Sequence, residues 1–332
     1  MTGGRTKALS AAKKKVRLVR AYLKGMPIWC TWQVVPRCGL HCAFCEHRAE
    51  GTAEEMDTAA CGRVAAELGG LGSLMVSLSG GDPFLRSDLA EVVAAVARLH
   101  FPLLTTHGWL VTREKARAVW EAGLEAASVT LDHARADEHD RLVGQPGAHA
   151  RAVAALEAFA KERVRPAQQV NVKFRMRGAD VEPLPELLRL AQRAGASVTV
   201  EPAFPLSGGN GSARVASRLG ELRARHPNLR VGHFFLDHLD EALSRGVGGC
   251  QAARAFLNVD HRGRVSKCLE FRGPEHQAGD LLRQPMPEVL PGLRRLHAEN
   301  DCRSCWMSSR GEVEGLYTVR GLLGALPALV RA

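Results

Sequence analysis

Seven of the nine cysteines fall into two groups whose spacing suits metal binding. Their members are Cys38, Cys42 and Cys45 in the first group, and Cys250, Cys268, Cys302 and Cys305 in the second. Three thiolates in one short loop can hold three irons of a four-iron cluster and leave the fourth iron open. A structural zinc site usually has four protein ligands, which disfavours zinc for the first group. The second group can close either a zinc site or a four-iron cluster.

The two remaining cysteines, Cys30 and Cys61, have no partner at ligand spacing. Cys61 lies on an apolar helical stripe with Val64 and Leu68, and Cys30 precedes a predicted strand, so we expect both thiols in the core. The chain has no apolar run near the roughly 18 residues that cross a bilayer, and its N-terminus lacks the apolar segment of a secretory signal. A cytoplasmic location is therefore expected, where clustered thiols bind metal more often than they form disulfides.

The positive charge is concentrated at the N-terminus. The 332 residues carry a net charge of +10, and 45% of them are hydrophobic and 24% charged, which is typical of a folded protein. Residues 1–24 contain eight Lys or Arg residues and no Asp or Glu, which leaves +2 for the rest of the chain. The nearly neutral body, in which aromatic residues are scarce, disfavours nucleic acid as a partner.

Residues 28–204 alternate short β-rich runs with longer helical runs, which is the pattern of repeated βα units. The predicted strands are Thr31–Val35, Leu74–Ser79, Leu103–Thr106, Ser128–Leu131, Gln169–Phe174 and Ser197–Val200. Because each crossover is right-handed, six such units form an α/β fold that curls into a partial (β/α)6 TIM-like barrel. Functional residues are then expected at the carboxyl ends of the strands, and the first cysteine group follows the first strand.

Four further segments flank the predicted barrel. They are a basic amphipathic helix in 1–27, a linker with a helical stretch in 205–249, a small α+β cysteine segment in 250–310 and a helical tail in 311–332. The Gly- and Pro-rich run Pro205–Gly211 marks the exit from the barrel. Gly263 stands between two β-rich runs, which predicts a hairpin inside the cysteine segment.

The N-terminal helix is predicted from apolar residues at alternating three- and four-residue steps. They are Leu9, Ala12, Val16, Val19 and Leu23. This stripe predicts an amphipathic helix over 8–24 with a basic outer face. The helix could dock on the body, on an anionic membrane surface or on an acidic partner, so peripheral membrane contact is one expectation.

The first cysteine group resembles the motif of the radical S-adenosylmethionine (SAM) superfamily. The resemblance rests on the run Cys38-Gly-Leu-His-Cys42-Ala-Phe44-Cys45, with an aromatic residue before the last cysteine, and on Gly80-Gly81-Asp82-Pro83 after the second predicted strand. It implies a 4Fe–4S cluster on the three cysteines, with SAM bound to the open iron. One electron then cleaves SAM to a 5′-deoxyadenosyl radical, which abstracts hydrogen from a substrate.

The resemblance also implies contacts to the cofactor. The predicted cofactor-binding residues are Phe44, Gly80, Gly81, Asp82, Ser128 and Arg175. The two glycines permit close approach of a ligand to the backbone, and their carbonyls, with Asp82, can receive the ammonium of SAM. Ser128 on the fourth strand is the candidate for the ribose or carboxylate, and Arg175 on the fifth for the carboxylate. No catalytic base is assigned.

The second cysteine group resembles the SPASM domain and its shorter twitch form. The spacing Cys250-x12-Gly263-x4-Cys268 matches the opening of these domains, and Cys302-x2-Cys305 completes a set of four. Four cysteines match the twitch form better, because full SPASM domains carry about seven. The resemblance implies an auxiliary 4Fe–4S cluster, and full thiolate ligation predicts that it accepts or relays an electron.

The resulting prediction is a radical SAM oxidoreductase that takes electrons from a flavodoxin or ferredoxin and builds a specialised metabolite or a modified peptide. Small metabolites, lipids and peptides are all open as substrates. The lack of an added recognition domain before the first predicted strand disfavours leader-guided peptide maturation by this chain alone. The alternative is a zinc-stabilised nucleic-acid or protein binding module without radical chemistry.

Overall fold

A mixed sheet of ten strands joins both halves of the chain. The computed structural model describes residues 8–42, 45, 54–204, 206 and 214–318, and the following elements lie within these ranges. The strands are β1 (Trp29–Val35), β2 (Met75–Gly80), β3 (Phe101–Thr106), β4 (Ala126–Thr130), β5 (Gln169–Met176), β6 (Ser197–Pro202), β7 (Leu229–Arg230), β8 (Phe256–Val259), β9 (Arg264–Ser266) and β10 (Gln277–Asp280). The helices are α1 (Ala11–Leu23), α2 (Thr58–Leu68), α3 (Leu89–Ala97), α4 (Arg113–Glu121), α5 (Ala136–Val143), α6 (Ala148–Lys161), α7 (Leu184–Arg193), α8 (Val215–Arg225), α9 (His233–Arg245), α10 (Met286–Ala298) and α11 (Ser308–Gly315).

Strands β1 to β6 are parallel and pair in the order of the chain. In β1 the side chains of Cys30, Trp32 and Val34 are fully buried, whereas Thr31 and Gln33 alternate with them and line an internal cavity. The predicted α/β partial barrel is confirmed. Each of the six predicted strands is present, with its ends within two residues of the expected positions.

The C-terminal strands extend this sheet beyond β1. Strand β8 runs parallel to β1, with Phe256 opposite Trp29, and β9 and β10 follow antiparallel. The predicted hairpin is confirmed, because β8 and β9 pair antiparallel around a turn in which Gly263 has a φ of +84°. At the other edge of the sheet, the short strand β7 pairs with β6. Strands of one sheet therefore position both cysteine groups. The first group follows β1, and the second lies around β8 and β9.

Some predictions fall wholly or partly outside the described residues. Phe44 lies there, as does the loop Pro205–Gly211 except for Leu206. Of the predicted tail over 311–332, the end of α11 is described and residues 319–332 are not. The expectation that Cys30 and Cys61 lie in the core is confirmed, since both are fully buried. No described helix is long and apolar enough to cross a membrane.

The orientation of α1 differs from that of a helix docked on the body through its apolar stripe. The residues of this helix that are buried against the body are Lys14 and Ala21. Val16 and Leu23, which belong to the predicted apolar stripe, are 57% and 74% exposed. The expectation that the apolar stripe docks on the body is therefore wrong. The side of α1 opposite the stripe contacts the body.

Lys14 is buried because it neutralises the end of another helix. Its ammonium donates hydrogen bonds of 3.1 Å to the carbonyls of Ala97 and His100, at and just after the end of α3. A cation is stabilising there because the last carbonyls of a helix lack intrahelical donors and carry its negative dipole. The Lys14 ammonium also lies 4.9 Å from the centre of the Phe101 ring. These tertiary partners outweigh the helix's own apolar pattern.

Candidate functional site

The first cysteine group lies in the loop that follows β1. The thiols of Cys38, Cys42 and Cys45 are free, and the Cys45 N–H donates to the Cys42 carbonyl at 3.1 Å, so these two residues share a tight turn. Leu40 is buried in a small apolar cluster with residues of α5 and α6, which anchors the loop. Phe44 lies outside the described residues, and its contact with SAM stays a prediction.

The three thiols lie close enough to influence one another. Burial raises the pKa of Cys42 to about 12, and Cys38, Cys45 and Asp132 add to the rise, while the Arg175 guanidinium opposes it. A thiol with so high a pKa is protonated at neutral pH in the metal-free chain. Bound iron would stabilise the thiolate, so we expect metal binding here to release protons.

Gly80 and Gly81 pack against the chain segment that leads into the first cysteine group. A Cβ on Gly80 would lie 2.0 Å from the Val35 carbonyl oxygen, and one on Gly81 would lie 1.7 Å from the Arg37 carbonyl oxygen. Gly80 also has a φ of +130°, a backbone conformation that residues other than glycine rarely adopt. The close approach that requires glycine is therefore made by the chain's own backbone. Contact of these two residues with SAM stays a prediction.

Asp82 is fully buried and both of its oxygens are engaged. Oδ1 accepts from the Phe84 N–H at 2.9 Å, and Oδ2 accepts from the Thr106 hydroxyl at 2.7 Å and from the His107 N–H at 3.1 Å. The His107 Nε2 atom lies 3.0 Å from the same oxygen. Burial alone would raise the pKa of Asp82, but His107 and Thr106 hold it below its usual value. These contacts support a positioning role between the ends of β2 and β3.

Arg175 and Asp132 lie beside the first cysteine group. Arg175 lines the internal cavity, and its backbone N–H donates to Asp132 Oδ1 at 3.1 Å. Burial raises the pKa of Asp132, although Arg175 lowers it in part, and Oδ2 has no hydrogen-bond partner among the described residues. On β4 the residue that lines the cavity is Thr130, while the predicted contact Ser128 lies two positions earlier in the strand. Contacts of Ser128 and Arg175 with SAM stay predictions.

The second cysteine group gathers around the end of β9 and the turn after α10. Its four members are free thiols, and they lie at Cys250, Cys268, Cys302 and Cys305. Burial raises the pKa of Cys305 to about 12, and the other three thiols add to the rise. The Asn300 side chain donates to the Cys250 carbonyl at 2.8 Å, which ties the segment before β8 to the turn after α10.

Arg310 on α11 holds the backbone around the second cysteine group. Its guanidinium donates to the carbonyls of Cys305 at 2.7 Å and of Val247 and Gly248 at 3.0 Å each. The residue is 2% exposed and also pairs with Glu314 at 2.9 Å. A buried guanidinium is stabilising when its donors are used, and Arg310 makes four hydrogen bonds with its five N–H groups. Sequence reasoning missed Arg310, since nothing in its local pattern shows that it is buried.

The donor sets bear on which metal the two groups could hold. In the part of the chain that the structure describes, no three or more His, Cys, Asp or Glu side chains are placed to hold one. A tetrahedral zinc ion with Zn–S bonds of about 2.3 Å brings its thiolates within about 4 Å of one another. A cubane places each thiolate on a different iron and keeps the sulfurs farther apart. Sets of three and of four free thiols are the donor chemistry that iron–sulfur clusters use.

One cavity of about 220 Å³ joins the second cysteine group to the interior of the barrel. All four cysteines of that group line it on one side, and Gly80, Thr130 and Arg175 line it at the strand ends. Trp29, Phe256 and Phe271 contribute aromatic surface to the same wall. The arrangement resembles a ligand pocket, in which apolar surface surrounds a few polar groups.

Two charged residues of opposite sign face each other on the cavity wall. Lys173 on β5 and Glu201 on β6 have their ammonium and carboxylate 3.8 Å apart. Glu201 also accepts from the Ser308 N–H at 3.1 Å and from its hydroxyl at 2.5 Å, at the N-terminus of α11. Sequence reasoning missed Lys173. In β5 the exposed and buried positions alternate, and that alternation could have identified Lys173 as a residue facing the cavity.

Comparison with known proteins agrees with this geometry. The model of the Radical SAM superfamily matches residues 32–194. The PqqA peptide cyclase of Methylocella silvestris is 29% identical over 302 residues, which cover 85% of this chain and 74% of that protein. The mycofactocin maturase MftC of Mycolicibacterium smegmatis is 26% identical over 312 residues, or 87% and 78% of the two chains. Streptococcus suis SuiB bound to the precursor peptide SuiA shares the fold, with a TM-score of 0.68, 14% identity, and 96% and 81% of the chains covered.

The partial barrel and the thiol-bearing loop at its strand ends define the class, and the chain belongs to the radical SAM superfamily. It is a radical SAM enzyme of the SPASM/twitch type. Enzymes of this type use a 4Fe–4S cluster and SAM, and they carry auxiliary clusters. The prediction of radical SAM chemistry is confirmed, and the alternative of a binding module without it is not supported.

Proposed function

We propose that this enzyme modifies a peptide whose reacting side chain enters the cavity between the two cysteine groups. The observation that carries the proposal is this cavity, which all four cysteines of the second group line together with Gly80 and Arg175. A peptide cyclase is among the sequence relatives, and SuiB was solved with a precursor peptide. These relatives favour a peptide over the small metabolite and the lipid.

The cysteine groups are the proposed ligand sets. Cys38, Cys42 and Cys45 would hold the SAM-binding cluster, and the second group would hold the auxiliary cluster with four thiolates. When bound, the clusters and SAM supply the radical that removes a substrate hydrogen and an acceptor for the electron that the substrate then loses. We also propose a flavodoxin or ferredoxin as the reducing partner, because one electron must enter for each SAM that is cleaved.

The chain's own residues would position SAM and substrate. Arg175 offers a guanidinium to a carboxylate at the end of the cavity beside Cys42, and such charge-assisted contacts are strong and directional. The charged side chains of Lys173 and Glu201 can bind the polar backbone of a peptide. A hydrogen bond from α11 holds Glu201 in place for this contact. The aromatic wall excludes water from the reacting side chain.

Anaerobic turnover with candidate peptides tests this proposal. The chain is reconstituted with iron and sulfide, reduced, and mixed with SAM and with peptides encoded by short reading frames next to its gene. The expected result is a peptide-dependent rise in 5′-deoxyadenosine and a product lighter by about 2 Da, for the loss of two hydrogens. A rise caused by small metabolites and by none of the peptides would overturn the peptide substrate and leave the enzyme class intact.

Two matched cysteine variants separate the roles of the groups. Cys305→Ala is expected to retain most SAM cleavage and to lower product formation at least tenfold, since only the second group is broken. Cys61→Ala removes a buried thiol outside both groups and should preserve both activities. Equal loss of cleavage and product in Cys305→Ala, with full iron in the first group, would contradict the proposed division of roles.

A further inference from the structure

The outer side of α1 carries an apolar stripe that the body does not cover. The α1 stripe consists of Ala12, Val16, Val19 and Leu23. Leu23 and Val16 are 74% and 57% exposed, more than any other large apolar side chain of the described residues. Because 3.6 residues complete one helical turn, the stripe lies opposite Lys14 and Ala21, which are buried.

The polar contacts of the buried side fix this orientation. Lys14 is bonded to two carbonyls at the end of α3, and the Arg17 guanidinium donates to the Gly69 carbonyl. At the end of the helix, the Tyr22 hydroxyl donates to the Leu316 carbonyl at 2.7 Å. Rotating α1 to bury the stripe would break all of these bonds. The helix is therefore held flat on the body with its apolar residues outward.

Positive charge flanks the α1 stripe. Lys13, Arg20 and Lys24 are exposed beside it, and residues 1–24 hold eight basic and no acidic residues. An exposed apolar stripe beside basic residues is the pattern of helices that lie in the interface of a bilayer. The basic side chains can extend along the surface to the phosphates while the apolar ones enter the acyl region.

Charge also distinguishes among the possible occupants of this face. The described residues end at Thr318. This end lies close to α1, because the centres of the Tyr317 and Tyr22 rings are 4.9 Å apart. The remaining segment 319–332 is apolar but contains two arginines and no acidic residue, so its charge does not complement the helix. A second copy of the chain would set two basic helices against each other. Anionic lipid is complementary to the exposed basic residues of α1.

We propose that α1 is a peripheral membrane anchor that lies in the plane of an anionic bilayer, with Val16 and Leu23 among the acyl chains. Each basic residue near such a surface adds attraction, and each inserted apolar side chain adds hydrophobic transfer. The anchor is a second function of the chain. It does not depend on the chemistry in the cavity, which α1 does not line.

Vesicle flotation with the full reconstituted chain tests the anchor. The vesicles are phosphatidylcholine alone, or phosphatidylcholine with one quarter phosphatidylglycerol, at low and at physiological salt. The chain is expected to float with the anionic vesicles, to bind the neutral ones at least tenfold more weakly, and to lose affinity as salt rises. Failure to bind anionic vesicles at low salt would overturn the proposal.

Two double variants with equal charge changes complete the test. Val16→Glu with Leu23→Glu is expected to weaken vesicle binding at least tenfold, whereas Val164→Glu with Leu282→Glu, at the other exposed apolar positions, changes it less than threefold. Both should keep the wild-type melting temperature and SAM cleavage. Vesicle binding that survives the first variant, or a dimer that only the first variant dissociates without vesicle binding, would overturn the proposal.

Discussion

Gly81→Ala should dismantle the first cysteine group without unfolding the chain. A methyl group there would lie 1.7 Å from the Arg37 carbonyl oxygen and 2.7 Å from the Cys38 nitrogen. Non-bonded heavy atoms prefer about 3.5 Å, so the backbone that leads into Cys38 must move by more than about 1 Å. Both neighbours are backbone atoms, which cannot rotate away as a side chain could.

The cost follows from that displacement. Forcing a methyl group against fixed backbone costs about 3 kcal/mol or more, and moving the Cys38 loop is the way to relieve it. Metal–ligand distances tolerate only about 0.2 Å of error, so a displaced Cys38 no longer completes the set of three thiols. Gly62→Ala on α2 is the matched control, because a Cβ there would meet no other atom of the described residues within 4 Å beyond its own helix. It should stabilise the chain by roughly 0.5–1 kcal/mol.

The assay combines iron content, SAM cleavage and urea unfolding of the two variants after anaerobic reconstitution. Gly81→Ala is expected to retain about half of the wild-type iron, held by the second group, and to lose SAM cleavage about 100-fold or more. Gly62→Ala should match the wild type in both. Full iron and wild-type cleavage in Gly81→Ala would refute the role assigned to this close packing.

Two further substitutions test buried groups away from the cavity centre. Burial lowers the pKa of His100 from 6.5 to about 4. Between pH 4 and pH 6.5 the His100 imidazole is therefore protonated in the unfolded chain and neutral in the folded one. Its contribution to stability is complete above pH 6.5 and is lost as pH falls toward 4, at up to about 1.4 kcal/mol per pH unit. His100→Gln should flatten that part of the pH profile in urea unfolding, and an unchanged slope would contradict it. Arg310→Ala should lower the free energy of unfolding by about 3 kcal/mol and release iron from the second group, because three carbonyls lose their donor. A variant with the wild-type melting temperature and full iron content would count against this.

The barrel strands and the site loop could be predicted from sequence because their signals are local. Cys38, Cys42 and Cys45 lie within one loop, and the six strands show short β-rich runs between helical ones. Gly263 was placed in its turn by the runs beside it. These patterns reflect the preferences of neighbouring residues, which a sequence displays directly.

The remaining features depend on contacts between distant segments. The pairing of β8 with β1 and the burial of Lys14 against the end of α3 join parts of the chain that no local pattern relates. For this reason the apolar pattern of α1 does not predict which side of the helix contacts the body. The need for glycine at Gly80 arises from a carbonyl more than 40 residues away. Two of the three hydrogen bonds that Asp82 accepts likewise come from distant residues, Thr106 and His107, at and just after the end of β3.

Cleavage of SAM by the reconstituted chain tests the central claim most directly. The wild-type chain is expected to bind about eight irons, four in each group, and to release 5′-deoxyadenosine when reduced in the presence of SAM. Replacing Cys38, Cys42 and Cys45 together by alanine should leave about four irons and abolish the release. A wild-type chain that binds only zinc and never releases 5′-deoxyadenosine, or a triple variant that still cleaves SAM, would contradict the account.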